Sequence, residues 1–135
     1  HMQGEPKTMQ INPRYQDVVK EIYEFFEQRI AIAKAASVAQ IILDPGIGFG
    51  KTLEHNLEIM NRLAEFKKLG YPVLVGPSRK SFISQITGAS KEERLPGTIV
   101  AVVACRLNGA SIFRVHDVLA CKQALQVTDA ILNKE

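Results

Sequence analysis

The chain is 135 residues long, with 46% apolar and 23% charged residues, the composition of a single globular domain rather than a disordered segment. Its 17 Lys and Arg against 14 Asp and Glu leave a net charge of +3. No basic run or aromatic-studded strand accompanies that mild excess, so no nucleic-acid partner is expected. No apolar stretch reaches the roughly 18–20 residues of a membrane span. Gln3, Gly4, Glu5 and Pro6 also stand where a signal peptide would need its apolar core, so no membrane partner is expected either.

Asn12-Pro13 is expected to open a helix, with Asn as the cap for orphan amides and Pro at the first helical position. Tyr15, Val18, Val19, Ile22, Phe25, Phe26 and Ile30 then recur at three- and four-residue steps, one apolar face of a long helix. Gln40-Ile41-Ile42-Leu43-Asp44 reads as a short strand buried on both faces. Past a glycine-rich loop, Leu53, Leu57, Met60, Leu63, Phe66 and Leu69 restore helical spacing up to Gly70. Residues 72–76 form the second expected strand. A polar loop over 77–81 and a less regular stretch holding Gly88 and Pro96 follow it. The helical pattern returns over 98–107 and closes at Asn108-Gly109. Residues 110–115 are the third expected strand, and Asp117 offers a cap for a last helix ending near Leu132.

A helix followed by three strand–helix units with short turns gives an α/β chain with a parallel sheet. An open doubly wound sheet accepts this order, and so does part of a TIM-type (β/α)8 barrel: the last three βα units and the helix before them. In both, ligands gather where strands end and helices begin. A complete barrel takes about 250 residues, so this chain would supply roughly half of one. Cys105 and Cys121 lie far apart inside helix-like patterns. They read as buried, reduced thiols of a cytoplasmic protein rather than a metal pair or a bridge.

Three polar clusters fall at the strand ends. The first is Asp44-Pro45-Gly46-Ile47-Gly48-Phe49-Gly50-Lys51-Thr52. It misses a phosphate-cradling P-loop because Pro45 replaces the opening glycine and removes an N–H. It misses the dinucleotide fingerprint because its glycines are spaced by two. What remains is a carboxylate ending a buried strand, followed by a flexible loop with one aromatic. Asp44 could be a turn residue. A carboxylate at a buried strand end is nevertheless costly without donors, and a flat heterocycle with two parallel N–H groups would supply them. Phe49 could wall such a site.

The second cluster, Gly76-Pro77-Ser78-Arg79-Lys80-Ser81, reads as donors for an anionic or carbonyl-bearing ligand, with Gly76 letting a ring approach the backbone. In the third, Arg114-Val115-His116-Asp117, alternation puts Arg114 and His116 on one face and Val115 on the other. Arg114 and His116, directed toward the core side, make an anion clamp. His55, in the first turn of a helix, reads as surface decoration.

Taken together, these motifs, in this order and spacing, closely resemble dihydropteroate synthase. The opening His1-Met2-Gln3-Gly4-Glu5-Pro6-Lys7-Thr8-Met9-Gln10 is similar to that family's segment after its fifth barrel strand. The resemblance implies that residues 1–135 are the carboxyl-terminal part of one pterin-binding barrel domain whose amino-terminal half is missing. It implies condensation of 7,8-dihydropterin-6-ylmethyl diphosphate with 4-aminobenzoate, giving 7,8-dihydropteroate and diphosphate, with Mg²⁺ assisting. Asp44 and Lys80 would hold the pterin ring, Gly76 would line its pocket and Arg114 would cover one pterin face. Arg114 and His116, across Val115, would bind diphosphate, and Phe49 and Ser81 would border the aminobenzoate. By that likeness Lys80, Arg114 and His116 are the catalytic set.

The resemblance places the Mg²⁺ ligand in the missing half and assigns no metal ligand to these residues. It also implies a homodimer through the carboxyl-terminal helices, near 98–107 and 117–132. A chain without its other half is expected not to catalyse the condensation. Three rival readings remain: a pterin-binding methyltransferase domain, a non-catalytic half-barrel used for assembly, and a P-loop nucleotide binder.

Overall fold

The computed structural model of the chain describes residues 1–133, so the last two residues of the expected 1–135 domain lie outside the described residues. The first helix, α1, spans Val18–Ala35. It starts later than the sequence suggests. Asn12 has φ 53, in the left-handed region, where it cannot serve as a cap. Asp17 instead holds extended backbone, and its Oδ1 accepts from the amides of Val19 (3.0 Å) and Lys20 (2.9 Å). Tyr15 therefore lies before the helix. Val18, Val19, Ile22, Phe26 and Ile30 make the expected buried face. Phe26 meets Phe66 edge-on, with ring centroids 5.5 Å apart.

The expected second helix divides in two. Helix α2 covers Leu53–Asn61, and a 3₁₀ segment, Leu63–Leu69, carries the same apolar face onward until Gly70 ends it at φ 79. Arg62 sits at the joint and binds Glu58, Glu65 and Asp17, tying the break to the start of α1. Thr52 and His55 form a capping box: Thr52 Oγ1 accepts from the His55 amide and His55 Nδ1 from the Thr52 amide, both at 3.2 Å. His55 also packs edge-on against Tyr15, so it is a structural residue rather than decoration.

All the described strands run parallel. β1 (Leu74–Val75) pairs with β2 (Ile112–Phe113), Leu74 opposite Ile112 and Val75 opposite Phe113. On the other side of β1, Leu43 bridges Val73, giving the order residue 43, β1, β2. The regular pairing is shorter than the apolar runs that announced it. Leu43 is buried, but Ile42 is 54% exposed, so that run is not covered on both faces. Alternation turns one residue in and the next out.

The stretch that looked irregular contains α3 (Ser81–Thr87), closed by Gly88 at φ 74. Helix α4 (Leu95–Leu107) opens with Pro96 in its first turn, and α5 (Val118–Leu132) packs beside it. Cys105 and Cys121 are buried and unbridged, and burial pushes the Cys105 thiol up to about 12. Val73, Val75, Ile59, Leu63 and Phe66 fill the centre beneath the sheet. Because the strands share one direction, Asp44, Gly76 and Arg114 leave the sheet at the same end.

Candidate active site at the strand ends

The loop after Asp44 turns through three left-handed glycines, Gly46, Gly48 and Gly50, with φ of 74, 78 and 61. Asp44 Oδ1 accepts from the Gly46 amide at 2.8 Å, so the turn role weighed for it is present. Among the described residues, its Oδ2 has no hydrogen-bond partner.

The loop expected to be flexible is braced from several sides. Ile47 is 1% exposed in the core. Lys51, 5% exposed, turns inward and donates to the carbonyls of Gly46 (3.0 Å) and Phe49 (2.9 Å). Burial lowers its pKa to about 8. The P-loop-like Gly50-Lys51-Thr52 thus serves loop carbonyls, not a phosphate. Asn56 is also buried; its Oδ1 accepts from the Gly48 amide and its Nδ2 donates to the Thr52 carbonyl, both at 2.7 Å. Gln10 and Tyr15 donate to the carbonyls of Gly48 and Gly50. The brace roles of Lys51 and Asn56 escape a sequence reading; the available signal was a polar Asn inside the first turn of an amphipathic helix.

In the second cluster, two of the four polar side chains are spent internally. Arg79 has φ 53, an uncommon backbone for a long side chain, and three contacts hold it there. Its amide donates to Thr98 Oγ1 (2.9 Å), its carbonyl accepts from Arg94 (2.8 Å), and its guanidinium closes on Asp117. Asp117 stands at the head of α5 but makes no side-chain cap bond, because Arg79 takes its carboxylate. Arg79 is therefore committed to the fold, and Asp117 holds the expected N-cap position of α5 without a side-chain cap bond.

Ser78, 4% exposed, meets His116: Ser78 Oγ is 2.9 Å from Nδ1 and accepts from the His116 amide at 3.1 Å. Lys80 places its Nζ 3.9 Å from the centroid of the Phe49 ring. Its pKa is lowered by burial first and by Arg114 second, while Asp44 opposes the shift. Ser81, at the start of α3, is exposed.

Arg114 does not turn toward the core as expected. It is exposed, and its guanidinium lies along Gly76, where an added Cβ would stand 3.5 Å from Nε and 3.6 Å from Nη2. Among the described residues it has no side-chain hydrogen bond or ion pair. His116 is exposed as well, and Val115 between them is half-buried.

The three clusters thus meet. Lys80 touches Phe49 and Gly48 from the first and feels Arg114 from the third, and Arg114 covers Gly76 of the second. The result is a free carboxylate oxygen, an ammonium and an uncommitted guanidinium around one region, with the His116 imidazole two residues past the guanidinium. That set can hold a flat polar ring and an anion. It does not suit a metal ion: among the described residues no three His, Cys, Asp or Glu cluster, and Asp44 faces two lysines. Among those residues no helix is long and apolar enough to cross a membrane.

Parallel βα units that gather such groups at their carboxyl ends have the layout of a ligand site in the (β/α)8-barrel class of proteins. Residues 1–116 match the family described as pterin binding enzyme, and the chain belongs to that family. It is 46% identical to the dihydropteroate synthase of Escherichia coli, over 98% of this chain and 48% of that protein. It superposes with a TM-score of 0.97 on the Yersinia pestis dihydropteroate synthase solved with a sulfonamide drug, at 39% identity, covering 100% of this chain and 50% of that one. The Thermus thermophilus dihydropteroate synthase in complex with 6HMPPP is 44% identical with a TM-score of 0.94, covering 98% of this chain and 54% of that one. The same protein has been solved with 4-aminobenzoate. The chain spans about half the length of the curated relatives it matches. The expected partial barrel is therefore the observed fold.

Proposed function

We propose that this chain is the carboxyl-terminal part of a dihydropteroate synthase barrel, supplying the pterin-holding and diphosphate-releasing side chains for condensation with 4-aminobenzoate. The observation that carries this reading is the placement of Lys80, in contact with Phe49 and within the fields of both Asp44 and Arg114.

Asp44, with Oδ2 uncommitted, accepts paired N–H groups of the pterin, and Lys80 holds a ring acceptor. Gly76 and Arg114 form one wall of that pocket. Val115 keeps Arg114 and His116 on the same side, where both donate to the diphosphate. The C–O bond at the pterin methylene breaks, and its electron pair leaves with the diphosphate. Donors aimed at that developing charge lower the barrier. The neutral arylamine of 4-aminobenzoate, bordered by Phe49 and Ser81, attacks the electron-poor carbon and then loses a proton. No tuned base is needed for an amine that is already nucleophilic.

The family resemblance adds Mg²⁺ on the diphosphate. Its oxygen ligands would have to come from outside the described residues. A cytoplasmic setting suits the two unbridged thiols. A homodimer through α4 and α5 is supported by the apolar side chains Val100, Leu107, Leu119, Val127 and Ile131, all exposed on those helices.

Calorimetric titration of the chain with 7,8-dihydropterin-6-ylmethyl diphosphate tests the reading. Binding that methyl-pterins displace poorly is expected. Asp44→Asn should weaken it by about 10–100-fold, the loss of charge-assisted hydrogen bonds. Equal or tighter binding of methyl-pterins would point to a methyltransferase domain, and no heat with a folded, oligomeric chain to an assembly module.

A further inference from the structure

Ser78 is a buried hydroxyl with two partners that belong to the same residue. The His116 amide can only donate, so it occupies a lone pair of Ser78 Oγ. At 4% exposure the hydroxyl proton has no water to turn to and needs an acceptor. Among the described residues, the acceptor within reach is His116 Nδ1, at 2.9 Å. If Nδ1 carried a proton, two N–H groups would converge on Oγ and the hydroxyl proton would be stranded in the interior.

We propose that Ser78 is a positioning residue that fixes His116 in its neutral Nε2–H form, leaving Nε2–H as the donor of the site. The backbone around Ser78 is built to hold that aim. Arg79, the next residue, is locked at φ 53 by Thr98, Arg94 and Asp117, and Asp117 follows His116 directly. The hydroxyl and the ring are thus tied to each other from both chain segments. The use of Nε2–H on the departing diphosphate rests on the function proposed above; the tautomer does not.

Nitrogen-15 NMR of the histidine-labelled chain tests it, with His116 assigned by His116→Gln and spectra taken near pH 8, about 1.5 units above the ordinary histidine range. The expected spectrum has Nδ1 as an unprotonated, hydrogen-bonded acceptor and Nε2 protonated. Ser78→Ala should move the Nδ1 resonance toward its solvent value, and Ser78→Thr should restore it. Ser78→Ala should also weaken inorganic diphosphate binding by about three- to tenfold, the contribution of one placed hydrogen bond. A protonated Nδ1 in the unsubstituted chain, or a spectrum unchanged in Ser78→Ala, overturns the proposal; the first result requires no variant to fold. A fixed tautomer in a chain that binds no diphosphate supports the positioning role and counts against the proposed function instead.

Discussion

The Arg79 guanidinium grips both carboxylate oxygens of Asp117, Nε to Oδ2 at 2.9 Å and Nη2 to Oδ1 at 2.7 Å, across 38 residues of chain. The pair ties the loop that presents Lys80 to the residue that follows His116. Arg79 holds the Asp117 carboxyl below its usual pKa, so the pair stabilises the fold above the ordinary aspartate range near ~3.9. That stability is lost as pH falls through the lowered folded value. Asp117→Asn should therefore lower the urea midpoint at pH 7, and the gap from the parent chain should narrow in acid below about pH 4. A gap of constant size across that range would contradict the pairing.

Lys51 also has a lowered folded pKa, but here burial disfavours the charged form. Its folded pKa, about 8, lies below the ordinary 10.5, so between those values the unfolded chain keeps a proton that the folded chain sheds. Stability should rise with pH across this window, by up to about 3 kcal/mol. The neutral amine still carries two N–H donors, enough for the Gly46 and Phe49 carbonyls. Denaturant titrations between pH 8 and 10.5 should show the rise, and Lys51→Met should flatten it.

Gly48→Ala should separate site from fold. An added Cβ would stand 3.0 Å from Lys80 Cδ, the movable part of a flexible side chain, at a backbone φ of 78. The left-handed backbone costs about 1–2 kcal/mol. Moving Lys80 from Phe49 should weaken pterin diphosphate binding about tenfold. Thermal melting and calorimetry on one preparation would measure both effects.

Asn56→Ala removes the bond that fastens the Gly48 amide to α2 and a second one to the Thr52 carbonyl at the cap of that helix. The Thr52 carbonyl keeps its bond from the backbone amide of residue 56, so the unpaired Gly48 amide carries the loss, about 1–3 kcal/mol. Hydrogen exchange at the Gly48 amide should accelerate, while amides at the centre of α1 should change only with global stability.

The helix faces were legible because burial writes a local period into the chain, as at Val18, Ile22, Phe26 and Ile30. Strand order and the shared direction followed from short turns and alternating elements. The caps were not legible. Asn12 and Asp17 are both good capping types, and the backbone conformation that chose Asp17 depends on contacts farther along the chain, including Arg62. Asp117 holds the cap position it was expected to hold, but a distant arginine takes the carboxylate that would have done the capping. The convergence of Asp44, Lys80 and Arg114 could be inferred, because parallel strands deliver their ends to one side. The inward turn of Lys51 could not, since nothing local to Gly50-Lys51-Thr52 says whether its ammonium faces a ligand or the loop's own carbonyls.

Ile47, sunk into the core between Gly46 and Gly48, has a mechanical consequence. It acts as a rivet at the midpoint of a glycine-rich span, and Lys51 ties the two short arcs on either side of it together through the Gly46 and Phe49 carbonyls. Pinned in this way, the span presents the Asp44 carboxylate and the Phe49 ring from fixed stations along a single stiff edge.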